Sequence, residues 1–371
     1  MVELADIFRR HGPAYRQMFK GRIPYVHLEA MHAIEHCRTE TLGGHVYRCP
    51  DCEELRYAYH SCKNRSCPKC QNAEASQWIE TQMASVLPVP YFMVTFTLPQ
   101  ELRFLARSHQ KKFYGMMFRA SAYALKKLAL DPGHLGGLVG MLGVLQTWSR
   151  DFGYHPHIHY LVPGGALSLD ESEWITPRYK DWLVPEKALA KIFQGKLRAM
   201  LKKAGFYDQV ARRVWKKQWT VDCEPVGNGP EALKYLAPYI RRVALTNKRI
   251  KKLDNGQVTF QVKNRASKSW ENRTLGAEEF IRRFLQHVLP KRFQKVRYYG
   301  FLHPNHKEQL TLIRHLLGPT LPQEAPVDDG DNEPQEHSTR AETTKDRCRK
   351  CGSLLVYLRR IPPMTRAPPD L

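Results

Sequence analysis

The sequence predicts an α+β chain in which a central, mainly antiparallel sheet is flanked by helices and preceded by a small metal-stapled unit. Three observations carry this. Short apolar runs rich in aromatic and β-branched residues recur along the chain, but not in regular alternation with helices. Between them lie stretches with helical periodicity. Six of the nine cysteines crowd into residues 37–70, a segment too poor in apolar residues for a conventional core.

The elements follow in order. Residues 1–30 place Leu4, Ile7 and Phe8 at helical spacing. Residues 91–98 (YFMVTFTL) read as a strand stopped by Pro99, and residues 101–130 as one long amphipathic helix. Residues 138–148 and 157–162 read as adjacent strands joined by SRDFGYHP. A helix is expected over 186–204, strands over 219–226 and 257–263, and an amphipathic helix over 277–289. Residues 321–347, acidic and rich in Pro, Thr and Gln, have the composition of a disordered linker. The expected organisation is a helix and zinc-binding unit over 1–85, a main body over 86–318, a linker over 319–347 and a tail over 348–371.

The chain of 371 residues carries 58 Lys+Arg against 36 Asp+Glu, a net charge of +22. A surplus of that size points to a polyanion, most simply nucleic acid. No run approaches the ~18 apolar residues of a membrane span, and the charged N-terminus lacks the apolar stretch of a signal peptide. A cytoplasmic location is therefore expected, where clustered cysteines are metal ligands rather than disulfides.

Cys49-x2-Cys52 and Cys67-x2-Cys70 stand 14 residues apart. Two such knuckles suit a structural zinc ion with four thiolates. Cys37, His45, Cys62 and His60, with His36 as a further candidate, form the set for a second zinc. Among the basic residues between the knuckles, Arg65 and Lys69 are expected to face DNA. Cys348-x2-Cys351 near the C-terminus has no obvious second pair, so it borrows ligands, dimerises or stands idle; Cys223 stands alone.

The stretch YHPHIHYLV sets His155, His157 and His159 on one side of a strand. One reading is a histidine-triad hydrolase. The other is a metal site in which His157 and His159 hold one divalent cation. Downstream, Asn228 and Pro230 mark the start of a helix, GPEALKYLAPYIRRVAL, that sets Tyr235 and Tyr239 on one face, with Arg241 and Arg242 following. In a strongly basic chain, a His-x-His cation site and a tyrosine pair point to phosphoryl transfer on DNA. A phenol with a pKa near ~10 is a poor nucleophile, and a cation that polarises and orients the phosphate is the remedy. Attack by tyrosine conserves the bond energy as a phosphotyrosine ester. Trp148, Tyr154 and Tyr160 are candidates to stack on unpaired bases.

HPHIHYLV, YLAPYIRRVAL, CRTETLGGHVYRC, SCKNRSCPKCQ and EEFIRRFLQHVLPKRFQKVRYYGFLHP together resemble the transposases of insertion sequence family ninety-one, across about residues 20–305. The resemblance implies an HUH fold with an N-terminal zinc-binding domain, a His157/His159 site for Mg2+ or Mn2+, and tyrosine nucleophiles at Tyr235 and Tyr239. It implies single-stranded DNA and mobile-element ends as partners, action beside the bacterial nucleoid, and rolling-circle-like movement. Related replication initiators and relaxases share the chemistry, and a non-catalytic zinc-ribbon DNA binder is the further alternative. The sequence departs from the family pattern at Pro238 between the tyrosines, and at Ser66 and His60 in the cysteine region. A third cation ligand is also expected, with His155 nearest in sequence and Pro156 placed to turn it away.

Overall fold

The computed structural model describes residues 2–70, 78, 82–83, 85–241, 243–264, 267, 269–318 and 347–364, and helix Gly229–Arg241 is described by its backbone and its side chains up to Leu236, except that of Tyr235. The anticipated linker, apart from Arg347, lies outside the described residues.

After helices Leu4–Met18 and Tyr25–Glu35 come the first two strands, β1 (Gly44–Arg48) and β2 (Leu55–Tyr59). The central sheet comprises β3 (Pro90–Thr97), β4 (Met141–Trp148), β5 (Tyr154–Pro163), β8 (Val221–Asn228) and β12 (Val296–Tyr299), in the order β12-β4-β5-β3-β8. Every pairing in it is antiparallel. β6 (Ala166–Leu167) and β7 (Trp174–Ile175) form a small hairpin; β9 (Ile250–Asp254), β10 (Gln257–Lys263) and β11 (Trp270–Gly276) form a second antiparallel sheet. β13 (Val356–Ile361) pairs with the outer edge of β1.

β3, β4 and β5 are buried on both faces, which is why they read as nearly continuous apolar runs. On one face Phe92, Val94, Phe96, Leu145, Ile158 and Val162 pack with the helices Gln110–Ala129 and Glu186–Lys203. Fully burying each such side chain is worth about 1.5–3 kcal/mol. Tyr160 is the polar member, and its hydroxyl bonds Ser121 at 2.8 Å. Gly143 lies opposite it because a Cβ there would come within 2.6 Å of the tyrosine ring. On the other face Met93, Leu142, Val144 and Leu161 pack against Ala232, Leu233 and Leu236 of helix Gly229–Arg241.

A second core joins the chain's beginning to its later part. Leu4, Ile7 and Phe8 of helix Leu4–Met18 bury against Phe260, Phe280 and Phe284. Helix Ala277–Leu285 supplies the last two, and Phe8 meets Phe284 edge-on at 5.6 Å. The turn of the β4–β5 hairpin also ends here. Phe152 is 1% exposed with a φ of 65°, and its ring touches Phe260 and Phe280. A non-glycine residue in that region costs on the order of 1 kcal/mol, offset by burial of its ring.

Two expected helices are shorter in the structure. The 101–130 helix divides into Arg103–Ser108 and Gln110–Ala129 at His109, whose φ and ψ of −127° and 44° are not helical. Beside the break, the Ser108 hydroxyl bonds the Phe104 carbonyl at 3.2 Å. The 277–289 helix ends at Leu285 and tightens into shorter turns before Pro290. Among the described residues, no helix is long and apolar enough to cross a membrane.

Candidate catalytic and metal centres

β5 presents His157, His159 and Leu161 on the face that carries helix Gly229–Arg241. Register with β4 places Gln146 opposite His157, and register with β3 places Thr95 opposite His159. Gln146 Oε1 lies 2.8 Å from His157 Nε2 and 3.2 Å from His159 Nε2. All three side chains are buried. The other ring nitrogens are held from behind. His157 Nδ1 donates to the His155 carbonyl at 2.6 Å, and His159 Nδ1 meets Thr95 Oγ1 at 2.9 Å. The carbonyl can only accept, so in the neutral ring it leaves the His157 Nε2 lone pair facing inward, and the Thr95 hydroxyl orients the His159 ring, as outer partners do for metal-binding imidazoles. Burial, with the neighbouring His157 adding to it, holds the His159 pKa well below its ordinary value, so the ring is neutral and able to ligate. In an octahedron with ~2.1 Å bonds, neighbouring donors stand about 3.0 Å apart; Gln146 Oε1 has about that spacing from each Nε2.

His155 is engaged elsewhere, its Nδ1 lying 2.5 Å from Arg103 Nη2. Gln146 is the side chain set between the two Nε2 atoms, and sequence reasoning did not single it out. The signal was a polar residue inside an otherwise apolar strand that forms a hairpin with the histidine strand.

Helix Gly229–Arg241 carries Tyr235 and Tyr239 over the same sheet face. Glu231 Oε2 accepts the Asn228 backbone N–H at 3.0 Å and helps fix the helix start. The helix continues through Pro238. The side chains of Tyr235, Tyr239 and Arg241, and all of Arg242, lie outside the described residues.

The cysteines are grouped differently from the expectation. Cys67 and Cys70 stand with Cys37 and Cys62, while Cys49 and Cys52 stand with Cys348 and Cys351; within each set the four sulfurs lie within 4.8 Å of one another. The two N-terminal knuckles therefore do not share one site. The reason is topological: β1 and β2 carry Cys49 and Cys52 to the far end of their hairpin, whereas Cys37 and Cys62 lie at its open end beside Cys67 and Cys70. Cys37 and Cys62 both approach Cys67, and hydrogen bonding to them, with burial, raises the Cys67 thiol far above its ordinary pKa. A cation that takes thiolates relieves such crowding. His45 and His60 join neither set. Their Nε2 atoms face each other at 3.3 Å, and His60 Nδ1 donates to the Leu42 carbonyl at 3.1 Å. His36 sits beside His32 on helix Tyr25–Glu35, their ring centres 4.4 Å apart.

Comparison with known proteins agrees with this geometry. Residues 140–309 match the family model described as "Putative transposase", and residues 7–98 match the "Transposase zinc-binding domain" of insertion sequence family ninety-one. The chain is 39% identical over 342 residues to "Putative transposase y4qJ" of Sinorhizobium fredii, covering 86% of this chain and 85% of that one. It is 24% identical over 303 residues to the transposase for insertion sequence element IS801 of Pseudomonas savastanoi pv. phaseolicola, covering 76% of this chain and 72% of that one. The chain belongs to the insertion sequence family ninety-one transposases. No solved structure matches it.

Gln146, His157, His159 and the tyrosine helix of this transposase all fall within the matched transposase region, and Cys37 to Cys70 within the matched zinc-binding region. The set Cys37, Cys62, Cys67 and Cys70, which lies wholly in that region, fits structural zinc. Two basic residues expected on DNA are engaged inside the transposase. The Arg65 guanidinium donates to the carbonyls of Phe293, Leu289 and Pro290 at 2.7, 2.9 and 2.5 Å, and Lys69 pairs with Glu3 at 2.6 Å. Arg65 thereby joins the cysteine segment to residues 289–293, which follow helix Ala277–Leu285. The three aromatic candidates also separate. Tyr160 is fully buried, and Tyr154 hydrogen-bonds Tyr114 at 2.5 Å. Trp148 lines a cavity of about 720 Å³ together with Arg119, Lys295, Arg297 and Trp78.

Proposed function

We propose that this transposase cleaves and rejoins single-stranded DNA at the ends of its mobile element through a 5′-phosphotyrosine intermediate. The supporting observation is the convergence of His157, His159 and Gln146 on the sheet face over which the helix of Tyr235 and Tyr239 packs.

His157, His159 and Gln146 would hold Mg2+ or Mn2+. Bound there, the cation polarises a phosphoryl oxygen and orients the scissile phosphate. The chain's own residues do the rest. The His155 carbonyl keeps the His157 imidazole in the ligating tautomer, and Thr95 orients that of His159. One tyrosine hydroxyl gives up its proton and its oxygen attacks phosphorus. The bond to the DNA 3′-oxygen breaks, that oxygen takes up a proton, and the 5′-phosphate stays on the tyrosine. Rejoining reverses the exchange with a new 3′-hydroxyl and needs no nucleotide cofactor. Two tyrosines in this frame permit a second cleavage while the first DNA end is still held.

Unpaired DNA is the substrate that the surroundings favour. The cavity beside the sheet edge offers Arg119, Lys295 and Arg297 for phosphates, and Trp148 and Trp78 for bases. Lys295 Nζ lies 5.2 Å from the centre of the Trp148 ring, so charge and stacking surface adjoin. Arg241 and Arg242, next to the tyrosines in sequence, are further phosphate partners in this reading. With a net charge of +22, binding falls steeply with salt.

The test uses a labelled single strand from the element's end with Mg2+ or Mn2+. A covalent adduct that survives denaturation, requires cation, disappears in His157→Ala and is lost or diminished in Tyr235→Phe or Tyr239→Phe is expected. Tight binding of the strand without any adduct would leave a DNA-binding protein without this chemistry.

A further inference from the structure

We propose that Cys49, Cys52, Cys348 and Cys351 bind a second zinc ion, which fastens the C-terminal tail onto the zinc-binding region. The sulfurs of Cys49 and Cys351 are 3.3 Å apart, those of Cys52 and Cys348 3.5 Å, and those of Cys52 and Cys351 3.5 Å. These separations are far beyond a disulfide bond of ~2.05 Å. They lie close to the ~3.8 Å edge of a tetrahedron with 2.3 Å zinc–sulfur bonds.

The two halves of the site are built alike, although they lie at opposite ends of the chain. In each, the residue after the second cysteine has a left-handed backbone: Glu53 has a φ of 58° and Gly352 a φ of 81°. In each, that residue's N–H returns to the first cysteine's carbonyl, at 3.1 Å for Glu53 to Cys49 and 2.9 Å for Gly352 to Cys348. The first cysteine's N–H then bonds the next carbonyl, Glu54 at 3.0 Å and Ser353 at 2.7 Å. This turn throws both thiols of a C-x2-C to one side. Two copies facing each other supply four ligands. The Lys350 N–H also donates to Cys348 Sγ at 3.4 Å, as suits a sulfur carrying negative charge.

The remaining contacts of the tail are too slight to hold it. β13 pairs with β1 from Gly44↔Ile361 to Arg48↔Val356, which brings the two knuckles side by side. Yet Val356, Tyr357 and Leu358 of β13 are 58%, 54% and 48% exposed. A three-stranded sheet with so little buried apolar surface is marginal without a staple. Zinc closes the loop between Cys52 and Cys348, a covalent path that runs through the whole catalytic body. The other cysteine set is already complete with Cys37, Cys62, Cys67 and Cys70. Cys49 and Cys52 thus gain a four-sulfur set only from the tail.

The test is zinc content per full-length chain purified under reducing conditions. Two zinc ions are expected for the wild type, one for Cys348→Ser/Cys351→Ser, and two again for Cys351→His, because imidazole replaces a thiolate ligand. One zinc in the wild type, or two in the double serine variant, overturns the proposal. A second measurement guards against misfolding of the variants. With a protease site inserted within residues 319–346, the cleaved tail should stay bound to the full chain and leave on chelation. Release of the tail with zinc still present also overturns the proposal.

Discussion

Gln146→Leu separates one member of the proposed cation site from the fold around it. The side chain is 7% exposed, and its Oε1 faces both imidazoles, at 2.8 and 3.2 Å. Leucine has nearly the same volume, so the strand should pack as before. What is lost is one oxygen donor of three. Taking that donor as comparable to a hydrogen bond involving a charge, the loss is about 2–3 kcal/mol, or roughly 30- to 160-fold in cation affinity. The assay is adduct formation on a labelled single strand against Mn2+ concentration. The half-saturating Mn2+ should rise by that factor while the plateau is recovered at high Mn2+. Gln146→Glu supplies a charged oxygen and should bring half-saturation to or below the wild-type value. An unchanged half-saturation in Gln146→Leu would refute the assignment. So would an adduct that no Mn2+ concentration restores, since that would make Gln146 part of something other than cation binding.

Three further outcomes follow from the same geometry. Thr95→Val removes the partner of His159 Nδ1 at 2.9 Å and should weaken Mn2+ binding by about 10- to 100-fold without touching a ligand, as read by the same titration. Arg65→Ala removes three hydrogen bonds that its guanidinium donates to carbonyls and should cost about 2–3 kcal/mol in urea unfolding; weaker DNA binding with unchanged stability would make Arg65 a DNA contact rather than a structural tie. Burial holds the fully buried His287 down to about 3 from its ordinary 6.5. The unfolded chain therefore takes up a proton below about pH 6.5 that the folded chain refuses, and stability is lost as pH falls from there toward 3. The slope is at most about 1.4 kcal/mol per pH unit. His287→Leu should flatten this part of the stability profile, and an unaltered slope would mean that other groups set it.

Much of the catalytic frame was legible because its signals are local. The apolar run at 91–98 became a strand almost residue for residue because it is buried on both faces, and 257–263 did so because its apolar residues alternate onto one buried face. The HxHxH period placed the histidines on one face, and the Asn228–Pro230 signal placed the start of the tyrosine helix. What failed was information about partners distant in sequence. Cys49 and Cys52 gave a correct knuckle, but spacing alone could not say which second knuckle they met, and residues 348–351 lie across the whole body. For Arg65 and Lys69 the charge was legible but its direction was not; the fold sets one on the carbonyls of Leu289, Pro290 and Phe293, lining the cavity with Trp148, and pairs the other with Glu3. Gln146 lay between these cases. It was deducible from hairpin register, had the turn between Trp148 and Tyr154 been counted.

The same hairpin explains why the site can be precise on a narrow support. β4 and β5 carry Gln146, His157 and His159, and their turn does not end in solvent. Phe152 at its tip is buried among Phe260, Phe280 and His287. Arg249 and Arg273 donate to the carbonyls of Arg150 and Asp151 beside it, at 3.3 and 2.9 Å. One end of the hairpin is therefore fixed in the core shared by the N-terminal helices and the second sheet, and its middle is fixed between the helices Gln110–Ala129 and Gly229–Arg241. A cation site whose donors must hold within about 0.5 Å needs such support from side chains that do not ligate. The N-terminal helix and the hairpin tip are thereby tied together, because Phe8 and Phe152 rest on Phe284 and Phe280 of the same short helix.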